Sequence, residues 1–431
     1  MIGPDHYARI KETLDSLDIT SEDYNRIWEK LQPLNPDQTE PSGVSEDVPD
    51  ACDNATGNGN QIVSGPQAPT DYDPDNPFRS LTVHPTDPNI IYLGTERNGF
   101  LKSTDGGQTW TRKRTGLWHD DPSTVMGHEP FYPEIYDIAY SESDPQIMYA
   151  AATSGPGPLL SNYPGPAAGV YKSVDGGDTW EWKSCGITSG WVWSVWVHDE
   201  NPDIALVGIS GGRSTSGIDG YYDGGIFRTT NGGETWKRVI LGTNDNKNAY
   251  RVIVSAKENP NLVYTSGVDI EDETSHIGLY KSTDAGLTWT GIESIEYFEY
   301  FDISPDGQTI YGNLHDCNGG VISNDGGNNW RRSKGACYVI AVSPSDILRV
   351  LYGGYDGVYI SVNGLIDVEK VADITVFGGG HKHVGDIVFA PSDNNIVYAI
   401  TSGYDLYKST NSGNAFKLII NLRNDVLSVI P

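Results

Sequence analysis

The sequence predicts an all-β fold, a seven-bladed β-propeller that follows a short helical segment. The first observation behind this prediction is an eight-residue phrase that returns seven times, 38 to 70 residues apart. Self-similarity at such spacings is typical of an array of one supersecondary unit. The copies are STDGGQTW (103–110), SVDGGDTW (173–180), TTNGGETW (229–236), STDAGLTW (282–289), SNDGGNNW (323–330), SVNGLIDV (361–368) and STNSGNAF (409–416).

The second observation is the pattern that precedes each phrase. It is a short strand, a turn rich in Pro and Asp, a second strand, and a third strand such as GVYKS. With the strand after the phrase, each repeat has four short strands, which describes one propeller blade. We therefore place seven blades in residues 79–422, followed by a C-terminal tail at 423–431. We expect the sixth blade to be the least regular, because SVNGLIDV lacks the second Gly and the Trp.

Each copy of the phrase is predicted to fold as a tight turn, called the repeat turn below. Its Asp or Asn accepts hydrogen bonds from backbone N–H groups ahead of it, and the Gly that follows adopts positive φ without steric cost. The Trp is a large apolar anchor between adjacent sheets. Catalysis needs one set of groups rather than seven copies, so we assign these residues a structural role. The predicted turn builders are Asp105, Asp175, Asn231, Asp284, Asp325, Asn363 and Asn411.

The region before the propeller has a different composition. Residues 1–34 are predicted to form a helical segment, with apolar residues such as Ile10 and Leu14 at helical spacing. Residues 35–78 are acidic and rich in Pro, Gly and Asn, which indicates a linker. Two short helices cannot bury enough surface to fold alone, so we expect them to dock on the propeller or to bind a partner.

The charge balance restricts the classes of partner. The chain has 58 acidic and 29 basic residues, a formal charge of −29, which disfavours nucleic acid and anionic membrane surfaces. No apolar stretch is long enough to span a membrane. The first residues lack the apolar core of a signal peptide, whereas four cysteines and a sequon at 54–56 are compatible with secretion. We expect an extracellular location or a place on a cell or virion surface.

The cysteines predict one disulfide. Cys317 and Cys337 are expected on the same face of adjacent blades, and they should pair if the protein is secreted. Cys52 and Cys185 would then pair with each other or stay free, since four cysteines allow three connectivities.

The repeated pattern S/T-x-D-x-G-x-T-W resembles the Asp-box (BNR) repeat. That repeat occurs in sialidases, xyloglucanases, sortilin-type VPS10 receptors and photosystem II assembly-factor propellers. The resemblance covers about four-fifths of the chain and implies a propeller, while these families carry different activities on similar scaffolds. The photosystem factors are expected to present a basic patch, so the acidic balance of this chain argues against that function.

Blade geometry divides the propeller into two faces. The repeat turns and the Pro/Asp turns share one face, called here the repeat-turn face. The longer insertions all fall on the opposite face, called the loop-rich face, where binding or catalysis is usual on a rigid scaffold. These insertions are 117–135, 153–168, 211–224, 242–249, 269–277 and 374–383.

Aligning the inner strands predicts which residues line the channel mouth on the loop-rich face. The predicted ring is Ser80, Asp137, Ser194, Arg251, Tyr300, Val339 and Asp386. Carboxylates with aromatic rings are typical of sugar binding. Nearby loops add Trp191, Trp193, Glu134, Asp316, Asp356 and His383 as candidate ligand contacts. The catalytic candidates are Glu96, Asp137 and Asp386. The alternative is that these acids satisfy loop backbone or hold Ca²⁺.

Cofactor signals are weak. The chain has no CxxC or HExxH motif, and we predict no cofactor and no transition-metal site. The acidic runs at 71–76 and 269–273 leave Ca²⁺ possible, although they lack EF-hand spacing.

Two enzyme families offer a residue-level comparison. Sialidases begin their first blade with Phe/Tyr-Arg-Ile-Pro, and Phe78 and Arg79 match its first two positions. Xyloglucanases form a cleft between two propellers with an Asp early in each, and Glu96 stands about where the first of these would lie. The first hypothesis is a recognition module that binds a glycan or a protein on the loop-rich face. The alternative is a glycoside hydrolase, xyloglucanase-like or sialidase-like, acting from the same face.

Overall fold

The structure is a computed structural model. Every residue that it describes lies within Ala51–Pro431. It describes residues 78–96, 98–118, 132–153, 169–187, 192–209, 212–213, 221–222, 224–239, 248–269, 276–292, 298–314, 319–335, 338–373, 383–403 and 405–421. The predicted helical segment, most of the predicted linker and the C-terminal tail lie outside these ranges. No helix among the described residues has the length and apolar character needed to cross a membrane.

Seven four-stranded antiparallel sheets confirm the predicted seven-bladed propeller. Blade one is β1 (Phe78–Val83), β2 (Ile91–Thr95), β3 (Phe100–Ser103) and β4 (Thr111–Arg112), and blade two is β5 (Glu134–Tyr140), β6 (Met148–Thr153), β7 (Gly169–Ser173) and β8 (Glu181–Trp182). Blade three is β9 (Val192–Val197), β10 (Ala205–Ile209), β13 (Gly225–Thr229) and β14 (Lys237–Val239), with a hairpin of β11 (Gly212–Arg213) and β12 (Tyr221–Tyr222) inserted after β10. Blade four is β15 (Asn248–Ala256), β16 (Asn259–Asp269), β17 (His276–Ser282) and β18 (Thr290–Ile292).

The last three blades follow the same order. They are β19 (Phe298–Ile303), β20 (Ile310–Leu314), β21 (Gly320–Ser323) and β22 (Arg331–Ser333); β23 (Val339–Ser343), β24 (Asp346–Gly353), β25 (Gly357–Ser361) and β26 (Glu369–Asp373); and β27 (Val384–Ala390), β28 (Asp393–Thr401), β29 (Asp405–Ser409) and β30 (Lys417–Asn421). Second strands such as β6 and β10 are buried at every position, because each lies between two neighbouring blades.

The seventh blade closes the ring directly on the first. The backbone N–H of Phe78 donates to the carbonyl of Gly403 at 3.0 Å. The hydroxyl of Tyr398 donates to the carbonyl of Pro88 at 2.9 Å. Trp110, at the end of the first repeat turn, is buried in one apolar cluster with Leu406 of the seventh blade. The ring therefore closes by strand, hydroxyl and core contacts within residues 78–421.

The repeat turns share one hydrogen-bond pattern. In the first, the N–H of Gly107 donates to Ser103 Oγ at 2.9 Å and the N–H of Thr109 donates to Asp105 Oδ1 at 2.9 Å. The seventh repeats this with Gly413 to Ser409 Oγ at 3.0 Å and Ala415 to Asn411 Oδ1 at 3.0 Å.

The sixth blade was expected to be the least regular, yet its repeat turn keeps the shared hydrogen-bond pattern. Its turn keeps the bond from Leu365 N–H to Ser361 Oγ at 2.8 Å and the bond from Asp367 N–H to Asn363 Oδ1 at 2.9 Å. Leu365 takes the place of the missing Gly with φ of 58°. Its side chain is fully buried, so packing of the leucine offsets the cost of the left-handed backbone.

Basic side chains tie the second, third and fourth repeat turns to the blade before each. Lys102 Nζ donates to the carbonyl of Gly176 at 2.8 Å, and Lys172 Nζ donates to that of Gly232 at 2.9 Å. Arg228 Nε makes the equivalent bond to Ala285 at 2.9 Å. The repeat-turn face is therefore largely occupied by contacts that hold neighbouring blades together.

Candidate functional site

The inner strands share a local irregularity where they enter the loop-rich face. In six of the seven blades the pairing of the first two strands skips a residue near the start of the inner strand. A skipped residue of this kind is a β-bulge, which re-aims a side chain and is frequent beside active sites. We call this place the rim position. Its residues are Arg79, Tyr136, Trp193, Arg251, the pair Glu299 and Tyr300, and Gly385.

Arg79 at the rim position joins two carboxylates from neighbouring blades. Its Nη2 lies 2.8 Å from Glu96 Oε2, and its Nε lies 2.5 Å from Glu134 Oε1. Thr153 Oγ1 donates to the other oxygen of Glu134 at 3.1 Å. The three charged side chains keep 29%, 21% and 12% of their surface exposed, in the order Arg79, Glu96, Glu134. We call these three residues the rim cluster.

Aromatic rings extend the rim cluster towards the third blade. The guanidinium carbon of Arg79 lies 5.4 Å from the ring centroid of Tyr136, within cation–π range. The rings of Tyr136 and Trp193 meet edge to face with centroids 4.4 Å apart. The cluster therefore combines charge, hydrogen-bonding groups and aromatic surface on one side of the channel.

The two carboxylates of the rim cluster differ in environment. Burial raises the pKa of Glu134, and the negative charge of Glu96 adds to the rise while Arg79 opposes it. A carboxyl group with a raised pKa keeps its proton to higher pH and can act as a general acid. Both groups contact the guanidinium of Arg79, Glu96 at Nη2 and Glu134 at Nε.

Four of the predicted ring residues, two aspartates and two serines, connect neighbouring blades. Asp137 accepts the N–H of Ile138 at 2.8 Å and that of Val195, in the next blade, at 2.9 Å. Asp386 accepts the N–H of Ile387 at 2.8 Å and that of Leu81, across the closure, at 3.2 Å. Backbone amides thus engage both oxygens of each carboxylate.

The serines of the ring do the same work with carbonyl acceptors. Ser80 Oγ donates to Ile135 O at 3.2 Å, and Ser194 Oγ donates to Tyr250 O at 3.1 Å. These contacts give the ring a structural role. The catalytic and ligand roles of Asp137 and Asp386 stay predictions.

A third buried aspartate, which the alignment missed, belongs with this pair. Asp302 accepts the N–H of Ile303 at 2.8 Å and that of Val342 in the next blade at 2.7 Å. Burial raises the pKa of Asp137 and of Asp302 to about 6. Burial, with repulsion from both of these carboxylates, raises the pKa of Asp386 to about 7. The sequence signal was the shared phrase Asp-Ile at 137, 302 and 386.

A cavity of about 310 Å³ runs along the inner strands. Asp137 lies on its wall, and Glu142 and Asp199 line its end near the repeat-turn face. Burial raises the pKa of Asp199 to about 6, and the neighbouring Glu142 adds to the rise. Lys257 Nζ lies 3.1 Å from Glu142 Oε1 and offsets part of this charge.

The remaining predicted residues divide by position. Asp356 accepts the hydroxyl of Tyr359 at 2.8 Å and Lys370 Nζ at 2.9 Å on the loop-rich face. The N–H of Tyr300 donates to Asn313 Oδ1 at 2.7 Å. Trp191, Asp316 and the side chain of Arg251 lie outside the described part of the chain. Within that part, no three His, Cys, Asp or Glu side chains are grouped to hold a metal ion.

Cys185 is disulfide-bonded. Its partner lies outside the described residues, as do Cys317 and Cys337, so their predicted pairing stays a prediction.

The chain is similar to xyloglucanases in sequence. It is 26% identical over 220 residues to the xyloglucanase Xgh74A of Acetivibrio thermocellus, which covers 49% of this chain and 25% of that protein. It is 24% identical over 349 residues to a xyloglucanase of Hypocrea jecorina, covering 74% and 38%. The chain thus spans well under half the length of these relatives. No protein-family model matches it.

Solved structures share the fold. A GH74 xyloglucanase from Xanthomonas campestris superposes with a TM-score of 0.57 at 17% identity, covering 80% of this chain and 53% of that chain. An ancestral GH74 enzyme gives 0.58 at 16% identity, covering 80% and 46%. YCF48 bound to D1 peptide gives 0.52 at 13% identity, covering 79% and 98%.

Proposed function

We propose that this propeller is a glycoside hydrolase that acts on a β-glucan of the xyloglucan type from its loop-rich face. The observation that carries the proposal is the rim cluster, in which Glu96 and Glu134 meet on Arg79 beside Tyr136 and Trp193. Similarity to xyloglucanases supports the substrate class. In the sequence, Glu96 stands about where the first Asp of the xyloglucanase cleft would lie.

The environments of the two carboxylates suggest their roles. Glu134 is the more buried and has the raised pKa, so it is assigned the proton that passes to the leaving oxygen. Glu96 is the more exposed carboxylate and is assigned the attack on the anomeric carbon. The distance between the two carboxyl groups would decide the stereochemistry, since it is about 5–5.5 Å in retaining glycosidases and about 6.5–9.5 Å in inverting ones. Tyr136 and Trp193 would stack on the sugar next to the cleaved bond.

The test is hydrolysis of xyloglucan and mixed-linkage β-glucan, followed by reducing-end release. Glu96→Gln and Glu134→Gln should each lower turnover by about 10²-fold or more, with melting temperature and glycan affinity little changed. Glu369→Gln, on the exposed outer strand of the sixth blade, is the matched control and should keep full turnover. Full activity in both rim variants would contradict the proposal.

A recognition module is the second candidate. One observation favours it: both rim carboxylates are paired with the guanidinium of Arg79, and carboxylates held in ion pairs suit holding a ligand better than cleaving it. Binding of glycan without reducing-end release by the wild type would select this function. The disulfide at Cys185 supports an extracellular or surface location for either function, because disulfides persist in oxidising compartments.

A further inference from the structure

The loop-rich face carries a second aromatic cluster, on the sixth and seventh blades, that the proposed reaction does not use. The rings of Tyr338 and His383 are stacked, with centroids 4.4 Å apart and planes 24° from parallel. Tyr355 meets Tyr338 edge to face at 4.7 Å. Three rings from three chain segments thus meet in one place.

The backbone of Tyr338 is strained. Its φ is 46°, a left-handed conformation that is uncommon for a bulky residue. It pairs with Gly353, where a Cβ would come within 2.4 Å of the Val384 side chain. Tyr338 precedes Val339, as Arg79 precedes Ser80, so it holds the rim position of the sixth blade. In this blade the pairing skips no residue at the start of the inner strand. Strain of this kind persists where the surroundings fix it, and it clusters at ligand clamps.

Tyr355 lies on a rigid turn and remains 56% exposed. The N–H of Gly354 donates to the carbonyl of Gly357 at 2.9 Å across the turn. Asp356, the next residue, is held by Tyr359 and Lys370. An exposed ring on a fixed backbone loses little conformational entropy when a ligand covers it.

We propose that Tyr338, Tyr355 and His383 form a carbohydrate subsite that stacks on a glucosyl ring of a β-glucan. In a β-linked glucose unit the ring hydroxyls point outward, which leaves two C–H faces for aromatic stacking. Asp356 follows Tyr355 in the turn, and its carboxylate can accept hydrogen bonds from sugar hydroxyls. This inference rests on the proposed function, because it extends the same face to a more distant part of the same substrate.

The experiment measures binding apart from turnover. Affinity for a xyloglucan oligosaccharide is measured by calorimetry in the Glu96→Gln background. Tyr355→Ala should weaken binding about tenfold, whereas Tyr355→Phe, which keeps the ring, should stay within about twofold. The matched control is Ile366→Ala, because Ile366 is 55% exposed on the repeat-turn face of the same blade. Melting temperatures should change little in all three variants.

A second variant tests the loss of the Tyr338 ring without a loss of folding. Tyr338→Gly relieves the left-handed backbone and deletes the stack, so the protein should stay folded while affinity falls. If the oligosaccharide binds and neither Tyr338→Gly nor Tyr355→Ala weakens it, the subsite is refuted and the proposed function stands.

The other outcomes are also decisive. If binding depends on Tyr355 but the wild type releases no reducing ends, the subsite stands and the hydrolase proposal fails. If Tyr355 is needed only for a proline-rich peptide and no glucan binds, the sugar subsite is refuted. The peptide is a fair alternative probe, because such peptides also dock on aromatic grooves.

Discussion

The role of Asp105 in its repeat turn can be tested by comparison with the repeat turns that carry Asn at the same position. Its carboxylate accepts bonds from Ser103 Oγ at 2.8 Å, from the backbone N–H groups of Gln108 and Thr109 at 2.9 Å, and from Thr109 Oγ1 at 2.6 Å. Asn stands at the same position in three other turns, at 231, 363 and 411. Asp105→Asn should therefore be tolerated, and Asp105→Ala should not.

The expected cost follows from the bonds that alanine cannot accept. A net contribution of about 0.5 kcal/mol each, the low end for donors that water can reach, gives roughly 2 kcal/mol in all. In a domain of this size that lowers the melting temperature by about 3 °C. Burial alone would raise the pKa of Asp105, but hydrogen bonds from Thr109, Ser103 and Gln108 outweigh it and lower the pKa. This contribution is present above the usual Asp pKa and is lost as pH falls through the lowered one.

The assay is urea unfolding followed by tryptophan fluorescence, with glycan affinity measured on the same samples. Asp105→Ala should lose stability and keep affinity, because the repeat turn lies on the face opposite the rim cluster. Equal losses for Ala and Asn would show that charge, not the turn geometry, matters. Lost affinity with unchanged stability would mean that the repeat-turn face binds the ligand.

Three further predictions follow. Lys172→Met should keep the packing of the side chain but lose the bond to Gly232, lowering the unfolding free energy by about 1.5 kcal/mol in urea titration. Arg79→Gln removes the positive charge that lowers the pKa of Glu134, so this pKa should rise further. The alkaline limb of the pH profile of hydrolysis should then move to higher pH. An unmoved limb would contradict the assignment of Glu134 as the general acid. The pKa of Asp386 is raised in the folded state, so the stability that it contributes is present below about pH 4 and lost as pH rises through about 7. Asp386→Asn should lose less melting temperature than the wild type between pH 5 and 8, and equal losses would show that Asp386 does not carry this dependence.

The blades were predictable because their information is local. Each repeat turn fixes its own hydrogen bonds, as Asp105 does with Thr109, and needs no knowledge of the next blade. The regular repeat turn of the sixth blade was missed because it depends on a burial site that only the folded blade provides for Leu365. Sequence pattern alone showed the absent Gly and not the space that receives the leucine.

The candidate site was predictable only in part, because its members come from different blades. Glu96 and Glu134 were both named from the sequence, yet nothing in the sequence showed that Arg79 would join them. The ring alignment was one residue off in two blades. In the fourth, Val252, not Arg251, pairs opposite Ser266, as Ser194 pairs opposite Gly208. In the fifth, Phe301, not Tyr300, pairs opposite Gly312.

The skipped residue lets one short inner strand both bond to the next blade and present a side chain at the rim. Successive side chains of a strand point to opposite sides, and a bulge adds one residue that escapes the pairing. In the first three blades the paired residue, such as Ser80 or Asp137, bonds to the next blade. The residue before it, Arg79 or Tyr136, is free of the ladder and reaches the rim.

Moving the bulge should therefore damage both functions at once. Deleting Tyr136 should cost both the contact to Val195 and the edge-to-face contact with Trp193. By contrast, Tyr136→Ala should weaken glycan binding without loosening the blades, and a large fall in its unfolding free energy would refute this division of labour.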